Sequence, residues 1–114
     1  MKKRSSQEIH LADHFVELLA DWANVTTRPL FGAVALYRAD RVFAMVWHGA
    51  LYFKVDRVSQ KEYESAGSKA LSYVSSGENY TLKSYWEVPA DVIEDGAKLC
   101  DWAERAYQVA LKTK

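Results

Sequence analysis

The fold is decided by Leu30–Val55, LFGAVALYRADRVFAMVWHGALYFKV, a largely apolar stretch that is interrupted twice by short turn-forming segments. The interruptions, at Arg38–Arg41 and Trp47–Ala50, are short enough for antiparallel hairpins. This stretch therefore predicts three consecutive strands that form a meander.

The middle strand of this meander, Val42–Trp47, is apolar at both sets of alternating positions. Because alternate side chains of a strand point to opposite faces of a sheet, this pattern predicts that both faces are covered. A single layer of helices covers one face only. The opposite face is expected to meet either another helix or another subunit, so a homodimer is one hypothesis.

Helical periodicity marks the two ends of the chain. The first helix carries apolar residues at helical spacing, Leu11, Phe15, Leu18 and Trp22, after a possible capping box of Ser5 and Glu8. The last helix is marked by Leu99, Trp102, Ala103, Ala106, Val109 and Ala110. Between them, Ser59–Glu62 has the form of a capping box that opens a short helix, which Gly67 ends.

Two further strands, Leu71–Val74 and Tyr80–Val88, flank the turn-forming segment Ser75–Asn79. The predicted order is α-β-β-β-α-β-β-α, which indicates an α+β fold with one antiparallel five-stranded sheet and helices packed on it. In the last strand, Tyr85 and Glu87 are predicted to share one face.

Length and composition predict one compact domain over residues 1–114, with loose ends at about 1–5 and 111–114. Fifteen basic and fifteen acidic residues give a net charge of zero, which disfavours direct binding to DNA or to an anionic membrane. The single cysteine excludes an internal disulfide and is typical of a cytoplasmic protein. The chain has no continuous apolar stretch of membrane-spanning length.

Three short segments occur in a recognisable order and spacing: Arg28–Gly32 (RPLFG), Leu51–Asp56 (LYFKVD) and Ser84–Pro89 (SYWEVP). Together they resemble the N-terminal domain of the TfoX/Sxy family. The resemblance covers roughly Trp22–Ala110. It departs from the family pattern at Leu30–Ala33, where Met-Phe-Gly-Gly becomes Leu-Phe-Gly-Ala.

The resemblance implies a fold like that of secretion chaperones and a non-catalytic regulatory role. It further implies a positive regulator of natural competence genes that contacts the cAMP receptor protein at promoters. Longer family members carry a second, helical domain, so the chain is expected to be either a stand-alone single-domain relative or a fragment. The alternative hypothesis is a chaperone-like dimer that binds a small ligand or a peptide.

The candidate binding residues centre on Lys54, which interrupts an apolar strand within the family-like Leu-Tyr-x-Lys segment. Grouped with Tyr85 and Glu87, it predicts a polar patch for an anionic ligand or a protein partner. Phe31 and Gly32, from the first family-like segment, complete the predicted surface. The competing interpretation is a charge at a sheet edge beside aromatic residues that serve the core.

Catalytic and metal-binding patterns are weak. His10 and His14 lie four residues apart but lack the glutamate of an HExxH motif. Cys100 is predicted to be structural, since Asp95 and Asp101 would raise the pKa of its thiol. We therefore expect no catalytic residue, no metal site and no cofactor.

Overall fold

The computed structural model describes residues 2–30 and 32–112, with side chains from residue 9 onwards. In chain order the elements are α1 Lys2–Leu18, β1 Thr26–Leu30, β2 Ala33–Arg38, β3 Arg41–Trp47, β4 Ala50–Lys54, α2 Arg57–Ser65, β5 Ala70–Ser75, β6 Glu78–Glu87, α3 Ala90–Ile93 and α4 Gly96–Lys112. None of the described helices is long and apolar enough to cross a membrane.

The described strands form one antiparallel sheet in the order β1-β2-β3-β4-β6-β5. The predicted α+β fold is confirmed, with six strands in the sheet rather than five. The additional strand is β1, where Thr26 and Thr27 favour extended backbone. Pro29 is tolerated there because β1 lies at the edge of the sheet, where a missing N–H leaves no gap in the ladder.

One face of the sheet, called the first face here, holds the core together with the helices. Its strand residues are Val34, Leu36, Phe43, Ala44, Val46, Leu51, Phe53 and Val55. Each described helix adds side chains to the same cluster, among them Phe15 of α1, Tyr63 of α2, Val92 of α3 and Trp102 of α4. All of the described helices therefore pack on the first face.

A β-bulge brings Phe43 into this core. The register of β2 against β3 shifts between Leu36 and Tyr37, which leaves Phe43 as an extra residue in β3. Phe43 is completely buried, and its ring centroid lies 5.3 Å from that of Trp22. Because both Phe43 and its neighbour Ala44 lie in the core, the bulge accounts for part of the apolar pattern of β3.

Helix α2 begins before its predicted capping residue. The side chain of Asp56 accepts a hydrogen bond from the Ser59 backbone N–H at 2.8 Å, and the Asp56 N–H donates to the Ser59 hydroxyl at 3.0 Å. Asp56 is thus the N-cap and Ser59 closes the box. The predicted start at Ser59 was wrong by one helical turn, while the predicted capping box of Ser5 and Glu8 concerns side chains outside those the structure describes.

A polar cluster connects Trp22, in the segment that follows α1, to β2 and to α4. Arg38 lies between two rings, 4.7 Å from the centroid of Trp22 and 4.6 Å from that of Tyr107. Glu104 accepts hydrogen bonds from the Trp22 indole at 2.9 Å and from Arg38 at 3.3 Å. The Trp22 hydrogen bond is the main cause of the lowered pKa of Glu104, with a further contribution from Gln108.

Replacing Glu104 by glutamine is expected to lower stability at pH 7 and to have a smaller effect in acid. A depressed folded-state pKa adds stability above the unfolded-state value of about 4.3, and that stability is lost as the pH falls through the folded-state value. Since the Glu104 side chain is 43% exposed, we expect a difference below about 1 kcal/mol. Urea unfolding at pH 7 and pH 3 measures it, with exposed Glu94→Gln as the control. An equal loss at both pH values would contradict a role for the charge.

Candidate functional site: the second face of the sheet

The face of the sheet opposite the core is called the second face here. Along β4 the side chains of Leu51 and Phe53 point into the core, so those of Tyr52 and Lys54 point away from it. The central residues of the second face are Tyr37, Met45, Tyr52, Lys54, Tyr85 and Glu87. The described helices contribute buried side chains to the core on the first face.

Strand pairing brings the three predicted polar residues together. Lys54 of β4 lies directly opposite Tyr85 of β6, and Tyr52 lies opposite Glu87. The ammonium of Lys54 sits 5.3 Å from the centroid of the Tyr85 ring, which is within the range of a cation–π contact. Lys54, Tyr85 and Glu87 therefore share one surface, and its role in binding stays a prediction.

The other two predicted residues are not part of this cluster. Gly32 is exposed in the turn between β1 and β2, with a φ of +85° that favours glycine. In the sheet order, β2 is three strands away from β6, which carries Tyr85. Phe31 lies outside the described residues.

Two tyrosines of the second face, Tyr52 and Tyr85, have raised pKa values. Tyr85 is only 6% exposed, and its pKa is raised to about 12, chiefly by burial and then by the neighbouring Tyr37. Burial, followed by the charge of Glu87, also raises the pKa of Tyr52. The hydroxyl of Tyr52, which is partly exposed, can donate a hydrogen bond to an incoming acceptor, whereas Tyr85 is buried.

Lys54 supplies a partly buried cation on the second face. Partial burial lowers the pKa of Lys54, and within residues 9–30 and 32–112 no carboxylate lies at ion-pair distance from its ammonium. A second cation, Arg28, lies with its guanidinium carbon 5.2 Å from the centroid of the Tyr37 ring. A partly desolvated, unpaired cation gains more from a carboxylate or a phosphate than an exposed one does.

The β5–β6 hairpin bends over one side of the second face. After Ala70 the register of β5 against β6 shifts, and residues 83–85 of β6 have no partner in β5. The ring of Tyr73 then lies 6.4 Å from that of Trp47 in β3, although β4 and β6 separate their strands in the sheet. The hairpin thus folds back across the second face, and Tyr80 stacks on Tyr73 at 5.5 Å.

Sequence reasoning missed several residues of this surface. Tyr52 could have been found, because it is two residues from Lys54 in a strand whose other residues are apolar. Arg28 could not, since its placement depends on β1 and on its register against β2. Alternation from Leu36 places Tyr37 on the second face, but its position relative to Tyr85 depends on how the strands between them pair.

Comparison with known proteins identifies the family. Residues 17–110 match the family model described as the TfoX N-terminal domain. The chain belongs to the TfoX/Sxy family. It is also 31% identical, over all of its 114 residues, to Protein Sxy of Escherichia coli (strain K12). That match covers 53% of the relative, so the chain spans about half of its length.

In this TfoX N-terminal domain, two of the family-like segments lie side by side and build the centre of the second face. Leu51–Asp56 comprises most of β4 and the N-cap of α2, while Ser84–Pro89 contains the end of β6. The two are hydrogen-bonded from Val55 to Ser84 and from Val88 to Leu51, each with an N···O distance of 2.8 Å. Of the third segment, residues 28–30 form the end of the edge strand β1, and Gly32 lies in the turn that follows it.

The other candidate residues of this TfoX domain lie away from the second face. His10 and His14 are exposed on α1, and Cys100 packs partly buried against the core. Burial and then the charge of Asp21, rather than carboxylates in its own helix, raise the pKa of the Cys100 thiol. Within the described part of the chain, no three His, Cys, Asp or Glu residues are grouped as metal ligands.

Proposed function

We propose that this chain is a non-catalytic regulatory interaction module that acts by protein contact through the second face. The observation that supports the proposal is the contact of Lys54 with Tyr85 on the second face, where Lys54 has no carboxylate at ion-pair distance among the residues whose side chains are described. This contact joins two of the segments that carry the family resemblance. TfoX/Sxy proteins are a regulatory family, which makes binding the function to test first.

The resemblance points to a partner of this module. We propose that it regulates natural competence genes in the cytoplasm by contacting the cAMP receptor protein. Large aromatic side chains are common anchors of protein interfaces, and a carboxylate of the partner would complement Lys54. The net charge of zero favours such a contact over direct binding to DNA.

A gel-shift titration tests this function. A competence-type promoter fragment is titrated with the chain, with and without the cAMP receptor protein, at two salt concentrations. We expect additional retardation only when the activator is present. Retardation without the activator that weakens steeply with salt would instead indicate direct DNA binding. If the chain causes no additional retardation either with or without the activator, the proposal is overturned for this chain.

A second candidate function is a chaperone-like dimer that binds a small ligand or a peptide. It is favoured by the hairpin that bends over the second face, where Tyr73 meets Trp47. A thermal-shift assay with peptides that end in a free carboxylate tests it, and the same peptides with an amidated end serve as controls. This function predicts stabilisation by the carboxylate peptides that is lost in Lys54→Gln. Equal behaviour of both peptide sets would count against it.

A further inference from the structure

We propose that β5 pairs edge to edge with β5 of a second copy of this chain, which creates a symmetric dimer with one continuous sheet. The proposal is independent of the regulatory function, because it rests on the backbone and charges of the β5–β6 hairpin alone.

The geometry of the hairpin determines which backbone groups face outwards. Its two-residue loop, Ser76 and Gly77, has φ values of 53° and 80°, as in a type I′ turn. In such a hairpin the pair next to the loop, Ser75 and Glu78, is hydrogen-bonded, and hydrogen-bonded and non-hydrogen-bonded pairs alternate from there. The N–H and C=O groups of Ser72 and Val74 therefore point to the free edge of β5.

The exposed strand edges of this fold differ in how they are protected. Charged residues and proline keep natural sheet edges from pairing with other chains. The edge strand β1 carries both Arg28 and Pro29, and β6 carries Glu78 and Lys83. By contrast, β5 has neither charge nor proline in its six residues, and its Val74 side chain is 68% exposed.

A second copy is the occupant that fits this edge. Antiparallel pairing centred on Tyr73 places Ser72 of each copy opposite Val74 of the other, and the two pairs can form four hydrogen bonds. The charges at the ends of the edge are also complementary. From strand spacing, Lys69 lies about 12 Å, Cα to Cα, from the partner's Glu78, a distance that the two side chains can span.

This pairing is closed by its twofold symmetry, so it yields dimers and not fibres. The axis runs perpendicular to the β5–β6 hairpin, so both copies present the same face of the hairpin on the same side of the dimer.

Matched proline variants test the edge. Ser72 and Thr81 are register partners, and their N–H groups point to opposite edges of the same hairpin. Ser72→Pro removes an N–H donor from the proposed interface without removing a hydrogen bond between β5 and β6. Thr81→Pro removes an N–H donor from the opposite edge of the hairpin, again without removing a hydrogen bond between the two strands.

Sedimentation equilibrium of the full chain should give twice its mass of 13.0 kDa at micromolar concentration. We expect Ser72→Pro to raise the dimer dissociation constant by about tenfold or more and Thr81→Pro to leave it unchanged.

Circular dichroism shows whether the proline variants still fold. A second pair of variants, which introduce a lysine instead of a proline, repeats the test independently of that result. Val74→Lys places charges near the twofold axis, whereas Asn79→Lys, at the register partner of Val74, places them on the opposite edge. Only Val74→Lys should yield monomers. A wild-type chain that stays monomeric, or a dimer that responds equally to both members of each pair, would overturn the proposal.

Discussion

Replacing Phe43 by alanine is expected to lower the free energy of unfolding by about 3–5 kcal/mol, the usual cost of truncating a buried phenylalanine. Phe43 is 0% exposed, and its ring lies between those of Trp22 and Phe53, at 5.3 and 6.0 Å. The bulge fixes the backbone at this position, so neighbouring side chains can fill the cavity only in part. Small domains are stable by about 5–15 kcal/mol in total, so such a loss is severe.

Equilibrium unfolding in urea measures this loss. The control is Val58→Ala, which removes an apolar side chain that is 78% exposed on α2 and should change stability by less than about 0.5 kcal/mol. A loss below about 1 kcal/mol for Phe43→Ala would mean that the bulge does not anchor the core as described.

The second large effect is expected in binding. Lys54→Glu reverses the charge at the centre of the second face and should raise the concentration of this chain needed for activator-dependent retardation by about tenfold or more. The change places a like charge against the carboxylate that we propose on the partner. Lys54 is only half-buried at the sheet surface, and thermal melting should show that the variant still folds.

Lys61→Glu is the matched control, since it makes the same change in net charge at an exposed position of α2, which packs on the first face. It should leave the retardation nearly unchanged. An equal effect of both variants would indicate a general electrostatic attraction, and no effect of Lys54→Glu would remove the Lys54–Tyr85 contact from the interface.

The elements that sequence analysis predicted well are those defined by local periodicity. The apolar spacing of α4 places its side chains on one stripe, and all of the residues predicted for that stripe are buried. Strand alternation also predicted that Tyr85 and Glu87 share a face, because a period of two needs no knowledge of the neighbouring strands.

What the sequence did not predict depends on pairing between strands. The bulge at Phe43 and the register break after Ala70 are relations between two strands, and neither leaves a local pattern. The edge strand β1 was overlooked because Pro29 argues against a strand everywhere except at an edge. For the same reason Arg28 was absent from the predicted surface, while Gly32 was placed with residues from which the sheet separates it.

The most direct test of a regulatory contact through the second face is an NMR titration of the ¹⁵N-labelled chain with the cAMP receptor protein. We predict that amide signals shift or broaden in the paired segments of β2, β3, β4 and β6 around Ala35, Met45, Tyr52 and Tyr85. Signals from the exposed positions of α1 and α4, such as Asp13 and Asp101, should stay in place. Perturbations confined to the helices, or a spectrum unchanged at saturating activator, would contradict the account.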